Sequence, residues 1–578
     1  MLDTRATPCL LAGLLIGLGG FGCAAPDSGP DAMDSPDFDA ITEEFFQVFF
    51  GFHPSEAAEA GLHEYDALTG RRDAAAIQEY VDVLGALEAR LKAIDLGTLS
   101  PDAALDRKLI LRQVRGERFW LDEVGTFRKD PRFYASQMDL SLLLLLDYAP
   151  LEERMEAIVG RLEGFPDLVG AARENVVNPP APFVETALVT YRGLPGFLRD
   201  NLTEALAPVE NEELQGRFAA ARDAAADALE RYAAYLAEEV QPTASGDYAL
   251  GLERYRKMNA LLADVDLPID QLEEIGRTEL ARLQALGDSL AERIAPGRGI
   301  EAAFAVLGED RPDAEAIVST AAGDIAGLVE FIEAGRIGTI LPGGVDVKEI
   351  PAFRRTNFAY IIIPGPFEAT NTGFYFIHPV EESWSARARS DFLRRNNRWT
   401  ILNTSAHEAY PGHYHHWTHL KRSPTKAQQL LTAYVTTEGW AHYAEEMSWR
   451  EGLADMNPRL GLAVVQDALL RAVRYLSSIG LHTKGMSVEE SEQMFRALAY
   501  QDSVNAHQQA LRGTYDPQYL NYTLGKIMIR RMRAELTEAR GGKIDLLGFH
   551  DEFMARGAPP VPWIARRILG DEEWQPFR

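Results

Sequence analysis

The chain has 578 residues, with 58 Lys and Arg against 86 Asp and Glu, for a formal net charge of −28. That balance argues against nucleic acid as a partner, because such binding rests on cationic contacts to phosphate. Hydrophobic and charged shares of 46% and 25% are those of an ordinary globular protein, long enough to bury a large core.

The only cysteines, Cys9 and Cys23, both precede the body of the chain, which is left with no disulfide framework and no thiolate metal site. Residues 10–22 form a short apolar run behind Arg5, too short to span a membrane and suited to a signal segment over 1–22. Its end, Gly20-Phe21-Gly22-Cys23, resembles a bacterial lipoprotein cleavage box, with Cys23 the lipidated first residue of the mature chain. Ordinary signal cleavage with an unmodified Cys23 is the alternative. Ala24 after the cysteine resembles the pattern of outer-membrane sorting, so the expected location is the periplasmic face of a membrane, touched only through the lipid. Residues 23–37, rich in Pro, Ser, Asp and Gly, read as a disordered tether.

From residue 38 the pattern is helical. Apolar residues recur at helical spacing over 38–50, 74–94, 105–120, 152–162, 214–240, 267–294, 301–306 and 313–334. Pro179-Pro180-Ala181-Pro182 and Leu341-Pro342-Gly343-Gly344 punctuate the chain. Residues 38–345 form an N-terminal helical region with almost no catalytic chemistry, and the isolated His53 and His63 read as packing residues. Residues 346–578 form the region that carries the chemistry. It opens with two short aromatic and β-branched runs, 360–364 and 373–377, which read as paired strands. A sheet there offers an edge to an extended peptide, with Tyr375 either contacting that peptide or buried in the core.

Six of the twelve histidines fall between 407 and 442. His407-Glu408 followed by His413, with Glu438 on a later helix, is the parts list of a zinc hydrolase: two imidazoles, a carboxylate, and an adjacent Glu to take a proton from water. The spacing departs from H-E-x-x-H. On a straight helix six residues rotate by about 600°, leaving His413 roughly 120° from His407. Pro411 and Gly412 interrupt the ladder, and a kink there is required to turn His413 back. His416 is the fallback ligand if the kink fails, and His415 and His419 read as surface residues. A polar helix end with satisfied histidines, and a helix-start Glu438 favoured by the macrodipole, are the plain alternatives.

The segments His407-Glu408-Ala409-Tyr410-Pro411-Gly412-His413 and Glu438-Gly439-Trp440-Ala441-His442-Tyr443-Ala444-Glu445 resemble the paired signatures of the DUF885 family of bacterial proteins. Looser matches are Leu481-His482-Thr483-Lys484-Gly485-Met486-Ser487, residues 516–526, and residues 49–66 with Pro54, Gly61, His63 and Asp66. The resemblance covers most of the chain beyond the tether. It implies a gluzincin-like metallopeptidase with a mainly α, two-lobed helical fold and a deep cleft, a small sheet lying next to the metal-binding helix. Such a fold is similar to oligopeptidases and angiotensin-converting-enzyme-type zincins. It also implies one Zn2+ ion on His407, His413 and Glu438, with Glu408 as base.

An oxyanion formed at a peptide carbonyl needs a donor besides the metal, and Tyr522 is the preferred candidate, with Tyr519 and His482 as others. Each of these could instead be core. Lys526 and Arg530 could hold a peptide carboxylate or simply pair with acidic neighbours, and His442 could touch substrate or pack. The expected function is zinc-dependent hydrolysis of short peptides. A non-catalytic peptide- or metal-binding periplasmic lipoprotein is the alternative. A serine hydrolase is disfavoured, since no Gly-x-Ser-x-Gly elbow occurs.

Overall fold

A computed structural model describes residues 36–351, 355 and 358–577. The signal segment, Cys23 and the tether up to residue 35 lie outside the described residues. The first helix, α1 (Pro36–Phe52), begins two residues before the expected helical start at residue 38.

The chain is mainly helical. In the N-terminal half, α2 (Pro101–Arg118) starts where Ser100 accepts the Ala103 N–H and Pro101 fills a position needing no donor. It is followed by α3 (Leu151–Asn175) and by α4 (Glu212–Tyr235), capped by Asn211. The alanine-rich α4 packs closely along α3, burying Ala221, Ala225, Ala226 and Ala228. Together with α1 these helices enclose one hydrophobic core running from Phe38 to Leu236.

A second core runs from Leu250 to Trp574, joined by Phe119. Its frame is α5 (Ile269–Ile294), a three-stranded sheet and five C-terminal helices: α6 (Arg398–Glu408), α7 (His413–Leu420), α8 (Tyr434–Arg450), α9 (Pro458–Thr483) and α10 (Asn521–Ala539). α5 lies along α9, and α8 along α10. The cores therefore divide the chain between Leu236 and Leu250, earlier than the 345/346 boundary drawn where the residue pattern changes. Helical periodicity is the same on both sides of residue 240, so only packing reveals which core a helix serves.

The sheet consists of β1 (Gly344–Glu349), β2 (Ala359–Ile362) and β3 (Thr372–Ile377), in the order β1-β3-β2. β1 runs parallel to β3 and β2 antiparallel to it, with Ile361 opposite Tyr375. The two expected strands are present, and β1 is an addition. Its Val345 and Val347 alternate with Asp346 and Lys348, a signal masked by the Pro-Gly-Gly run before it. Alternation sends Tyr375 and Ile377 into the second core, while Ile362 and Phe376 cover Leu146 from the N-terminal half. β2 is an edge strand.

The segment between α7 and α8 belongs to the first core, to which it contributes Ala427 and Leu431. Thr425 donates to Asp106 at 2.7 Å, and the Arg112 guanidinium donates to the carbonyls of Leu431 and Thr432 at 3.2 and 2.6 Å. No helix among the described residues is long and apolar enough to cross a membrane.

Candidate metal centre

The helix entering the site is broken where the kink is required. Asn397 caps α6 through the N–H groups of Trp399 and Thr400, and α6 stops at Glu408. The chain turns through Ala409 (φ −109°, ψ −83°) and the cis Tyr410–Pro411 peptide, then restarts as α7 at His413. The Pro411 carbonyl accepts the Trp440 indole N–H at 2.9 Å, which ties the turn to α8. Gly412 is needed for close approach: a Cβ there would stand 1.8 Å from the His407 carbonyl oxygen.

This break brings the imidazoles of His407 and His413 together, ring centres 4.8 Å apart and planes at 85°. Glu438, in the second turn of α8, places Oε2 3.6 Å from His407 Nε2 and 3.4 Å from His413 Nε2. A tetrahedral ion with bonds of about 2.0–2.1 Å requires donor separations of roughly 3.3–3.4 Å, so these spacings suit one. Glu438 Oε2 is buried and accepts no hydrogen bond from a described residue. His407, His413 and Glu438 are also the one group among the described residues whose donors converge for a metal. The donor set, two nitrogens and a carboxylate oxygen, fits zinc.

Behind the donors lies a support that the sequence reading quoted but gave no role. Glu445, two turns beyond Glu438, accepts the His407 Nδ1 proton at 2.6 Å. That bond fixes the tautomer, leaving the Nε2 lone pair to face Glu438 and His413. Glu445 is fully buried and is held in turn by Arg471 at 3.2 Å and His442 at 3.4 Å. Burial opposes its charge, but Arg471, His442 and His407 outweigh that and hold its carboxyl well below the usual range. Glu445 was findable: i+7 from Glu438 shares its helix face.

Burial and Arg471 disfavour a protonated His407, yet Glu438 and Glu445 prevail and push its pKa up to about 9. In Glu438, burial is overcome by the two imidazoles, which hold the carboxylate ionised far below its ordinary range. Glu408 behaves differently. Burial raises its carboxyl pKa more than His407 and His413 lower it, and among the described residues nothing donates to it.

Two cavities meet at this centre. His413 and Trp417 border one of about 1010 Å³, together with residues 360–363 of the β2 edge. His407, Glu408 and Tyr522 border another of about 870 Å³, together with Ala359, the first residue of β2, and Phe358 before it. The same strand thus lines both. The approach of α8 to α10 that brings the Tyr522 ring within 5.7 Å of Tyr434 depends on Gly525, where a Cβ would stand 2.0 Å from the Val435 carbonyl.

Other expected residues sit elsewhere. Tyr519 is fully buried and donates to Ser477 at 2.8 Å, filling the space above Gly513. His482 bonds the Gly513 carbonyl at 2.8 Å and accepts the Leu250 N–H at 3.4 Å, so both ring nitrogens are occupied by backbone away from the centre. Tyr375 is core, its hydroxyl 3.5 Å from Ser405. His442 is buried, with Nδ1 3.4 Å from the Glu445 carboxylate, which places it behind the centre. Lys526, fully buried, pairs with Glu446 at 2.8 Å, and Arg530 pairs with Glu279 at 3.3 Å. Arg282 joins both carboxylates at 2.7 and 2.8 Å, so these cations tie α5, α8 and α10 together. His415, His416 and His419 are buried, not exposed, and bond the carbonyls of Thr339, Gly557 and Thr339 at 3.0, 3.3 and 2.9 Å.

No curated protein matches the chain. Two solved structures share its fold. The "putative lipoprotein of unknown function" from Shewanella oneidensis is 23% identical, with TM-score 0.77 over 93% of this chain and 100% of that one. The "putative lipoprotein" from Colwellia psychrerythraea is 16% identical, with TM-score 0.78 over 92% and 99%. The family model described as "Bacterial protein of unknown function (DUF885)" matches residues 54–568. The chain therefore belongs to the DUF885 family.

Proposed function

We propose that this protein is a zinc-dependent peptidase of the gluzincin type, acting on short peptides held between two lobes of a helical cleft. The observation that carries the reading is the convergence of His407, His413 and Glu438 on one point, with Glu445 orienting His407 and Glu408 beside it. His407 and His413 through Nε2, and Glu438 through a carboxylate oxygen, would hold the ion. Bound there, zinc supplies Lewis acidity, lowering the pKa of water and polarising a carbonyl.

The chain's own groups do the rest. Glu408, whose carboxyl burial pushes above its ordinary range, takes the proton from the attacking water and hands it to the leaving amine. Tyr522, bordering the same cavity as Glu408, donates a hydrogen bond from its phenol to the developing oxyanion. β2, the last strand in the sheet order and a wall of both cavities, is suited to main-chain pairing with an extended peptide running from one cavity to the other. The cleavage box at Cys23, and the lipoprotein descriptions of the two similar structures, support an exported, lipid-anchored protein facing the periplasm.

The test is a digest of a mixed peptide library by metal-replete protein, read by mass spectrometry beside metal analysis. Bound zinc in stoichiometric amount, chelator-sensitive cleavage, and a Glu408→Gln variant that keeps the metal but loses cleavage are expected. Metal binding with no cleavage of any peptide would instead establish a non-catalytic binding protein, and unchanged turnover in Glu408→Gln would remove that residue as the base.

A further inference from the structure

The cavity beside Glu408 has a cationic wall in a strongly acidic protein. Arg394, Arg395, Arg471, Arg474 and Arg512 all border it. Four of these guanidiniums are already matched with carboxylates: Arg394 with Glu309 at 2.8 Å, Arg395 with Asp502 at 3.5 Å, Arg471 with Glu445 at 3.2 Å and Arg512 with Asp516 at 2.9 Å.

Arg474 is the exception. Its side chain is 9% exposed and forms no ion pair among the described residues. Nε donates to the neutral Gln509 at 2.8 Å, leaving the forked Nη groups with no described acceptor. Burial, with Arg512 and Arg471 close by, pushes its pKa down to about 10, as expected where an anion is wanting. A buried guanidinium left in this way is costly unless something of opposite charge completes it.

Its position is set by the helix that serves the metal centre. Arg471 and Arg474 lie three residues apart on α9, about 4.5 Å along the axis, and both guanidiniums stand over the Tyr522 ring, at 5.6 and 5.3 Å. Arg471 Nη2 is also 3.4 Å from His407 Nδ1. Arg474 thus shares a cavity with Glu408 and the candidate oxyanion donor, within the reach of a short peptide.

We infer that the Arg474 guanidinium, bordering the cavity beside Glu408 without a carboxylate partner, is the seat for a carboxylate of the bound peptide. The planar fork offers two parallel N–H donors, which match a carboxylate edge to edge. The inference rests on the peptidase reading for the nature of the ligand. It replaces Lys526 and Arg530, which are committed to Glu446 and Glu279, as the carboxylate anchor. Two sources share this chemistry, the α-carboxylate at a peptide's end and an Asp or Glu side chain. An anchor for the former makes the enzyme trim peptides from the carboxyl end.

Binding separates these without relying on turnover. Zinc-loaded full-length protein carrying Glu408→Gln is titrated calorimetrically with three peptides: an alanine tripeptide with a free carboxylate, its C-terminal amide, and an amide ending in Glu. The free acid is expected to bind at least ~10-fold more tightly than the plain amide, the scale of one charge-assisted hydrogen bond. Adding Arg474→Gln should erase that preference, and Arg474→Lys should restore part of it, which a merely structural role for Arg474 would not do. Tight binding of the Glu-ended amide as well assigns the seat to side-chain carboxylates. Equal binding of acid and plain amide, or no binding of either, overturns the inference. Library cleavage by protein with Glu408 and Arg474 intact is scored separately. If cleavage occurs with no preference for free carboxyl ends or for Asp and Glu side chains, the peptidase reading stands and only the anchor falls.

Discussion

Replacing Gly412 by alanine tests the turn on which the metal centre depends. The added Cβ would lie 1.8 Å from the His407 carbonyl oxygen and 2.5 Å from both the Ala406 oxygen and the His407 carbonyl carbon. Carbon and oxygen do not ordinarily approach within about 3.3 Å, so the chain must open by roughly 1.5 Å. The atoms in the way are backbone and cannot swing aside. The next residue is His413, and ligand distances in a metal site tolerate only about ±0.2 Å. The shift is several times that allowance. Zinc affinity should fall by at least ~100-fold, beyond the 10–100-fold cost of losing a supporting residue alone. Overpacking should also lower the stability of the metal-free protein by about 1–3 kcal/mol. Competition against a chromophoric chelator measures the first, and denaturant unfolding the second. Gly51→Ala, where nothing lies within 4 Å of the new Cβ, is the control and should be neutral or slightly stabilising. A Gly412→Ala protein that binds zinc normally and unfolds at the same midpoint would refute the reasoning.

Glu445→Gln should weaken zinc binding ~10–100-fold, because the His407 Nδ1 bond loses its charged acceptor; the same chelator competition reads it, and unaltered affinity would show that the bond does not orient the ligand. Glu446→Ala should cost about 3–5 kcal/mol in denaturant unfolding, since fully buried Lys526 would keep only Glu279 at 3.9 Å, and a loss below 1 kcal/mol would count against a buried ionic clamp. Burial lowers the pKa of His482 to about 4 and of His550 to about 3, beneath the ordinary 6.5. The unfolded chain therefore takes up protons first, so stability is full above pH 6.5 and declines from there towards pH 4 and 3. His482→Gln and His550→Gln should each flatten that decline in unfolding midpoints measured against pH, and an unchanged slope would contradict it. Tyr375→Phe removes only a buried hydroxyl 3.5 Å from Ser405 and should leave peptide turnover as it was, whereas a tenfold loss would return Tyr375 to the site.

The convergence of His407, His413 and Glu438 was legible because metal chemistry restricts residue types and because Pro411-Gly412 makes sense only as a break between two helices. Helices were legible from their apolar spacing. What escaped the sequence was partnership. Tyr519 and Tyr522 have the same chemistry three residues apart, yet one fills the space above Gly513 and the other faces a cavity, a difference made by elements distant in the chain. Lys526 and Arg530 follow Tyr522 at helical steps and resemble carboxylate binders, but Glu279 and Glu446 arrive from α5 and α8 to neutralise them. Arg474 looked like any charged residue on a long helix, and that no described carboxylate pairs with it is visible only in the fold.

The strap joining α7 to α8 has a consequence for how this protein can be dissected. It links the helix that carries His413 to the one that carries Glu438, yet it is seated on the first core through Asp106 and Arg112. The N-terminal half, which supplies no donor, thereby sets the spacing between two of them. Excising residues 250–577 would keep every ligand and still yield a poor metal binder, and wear at the seam between the halves would be felt first as leakage of the ion.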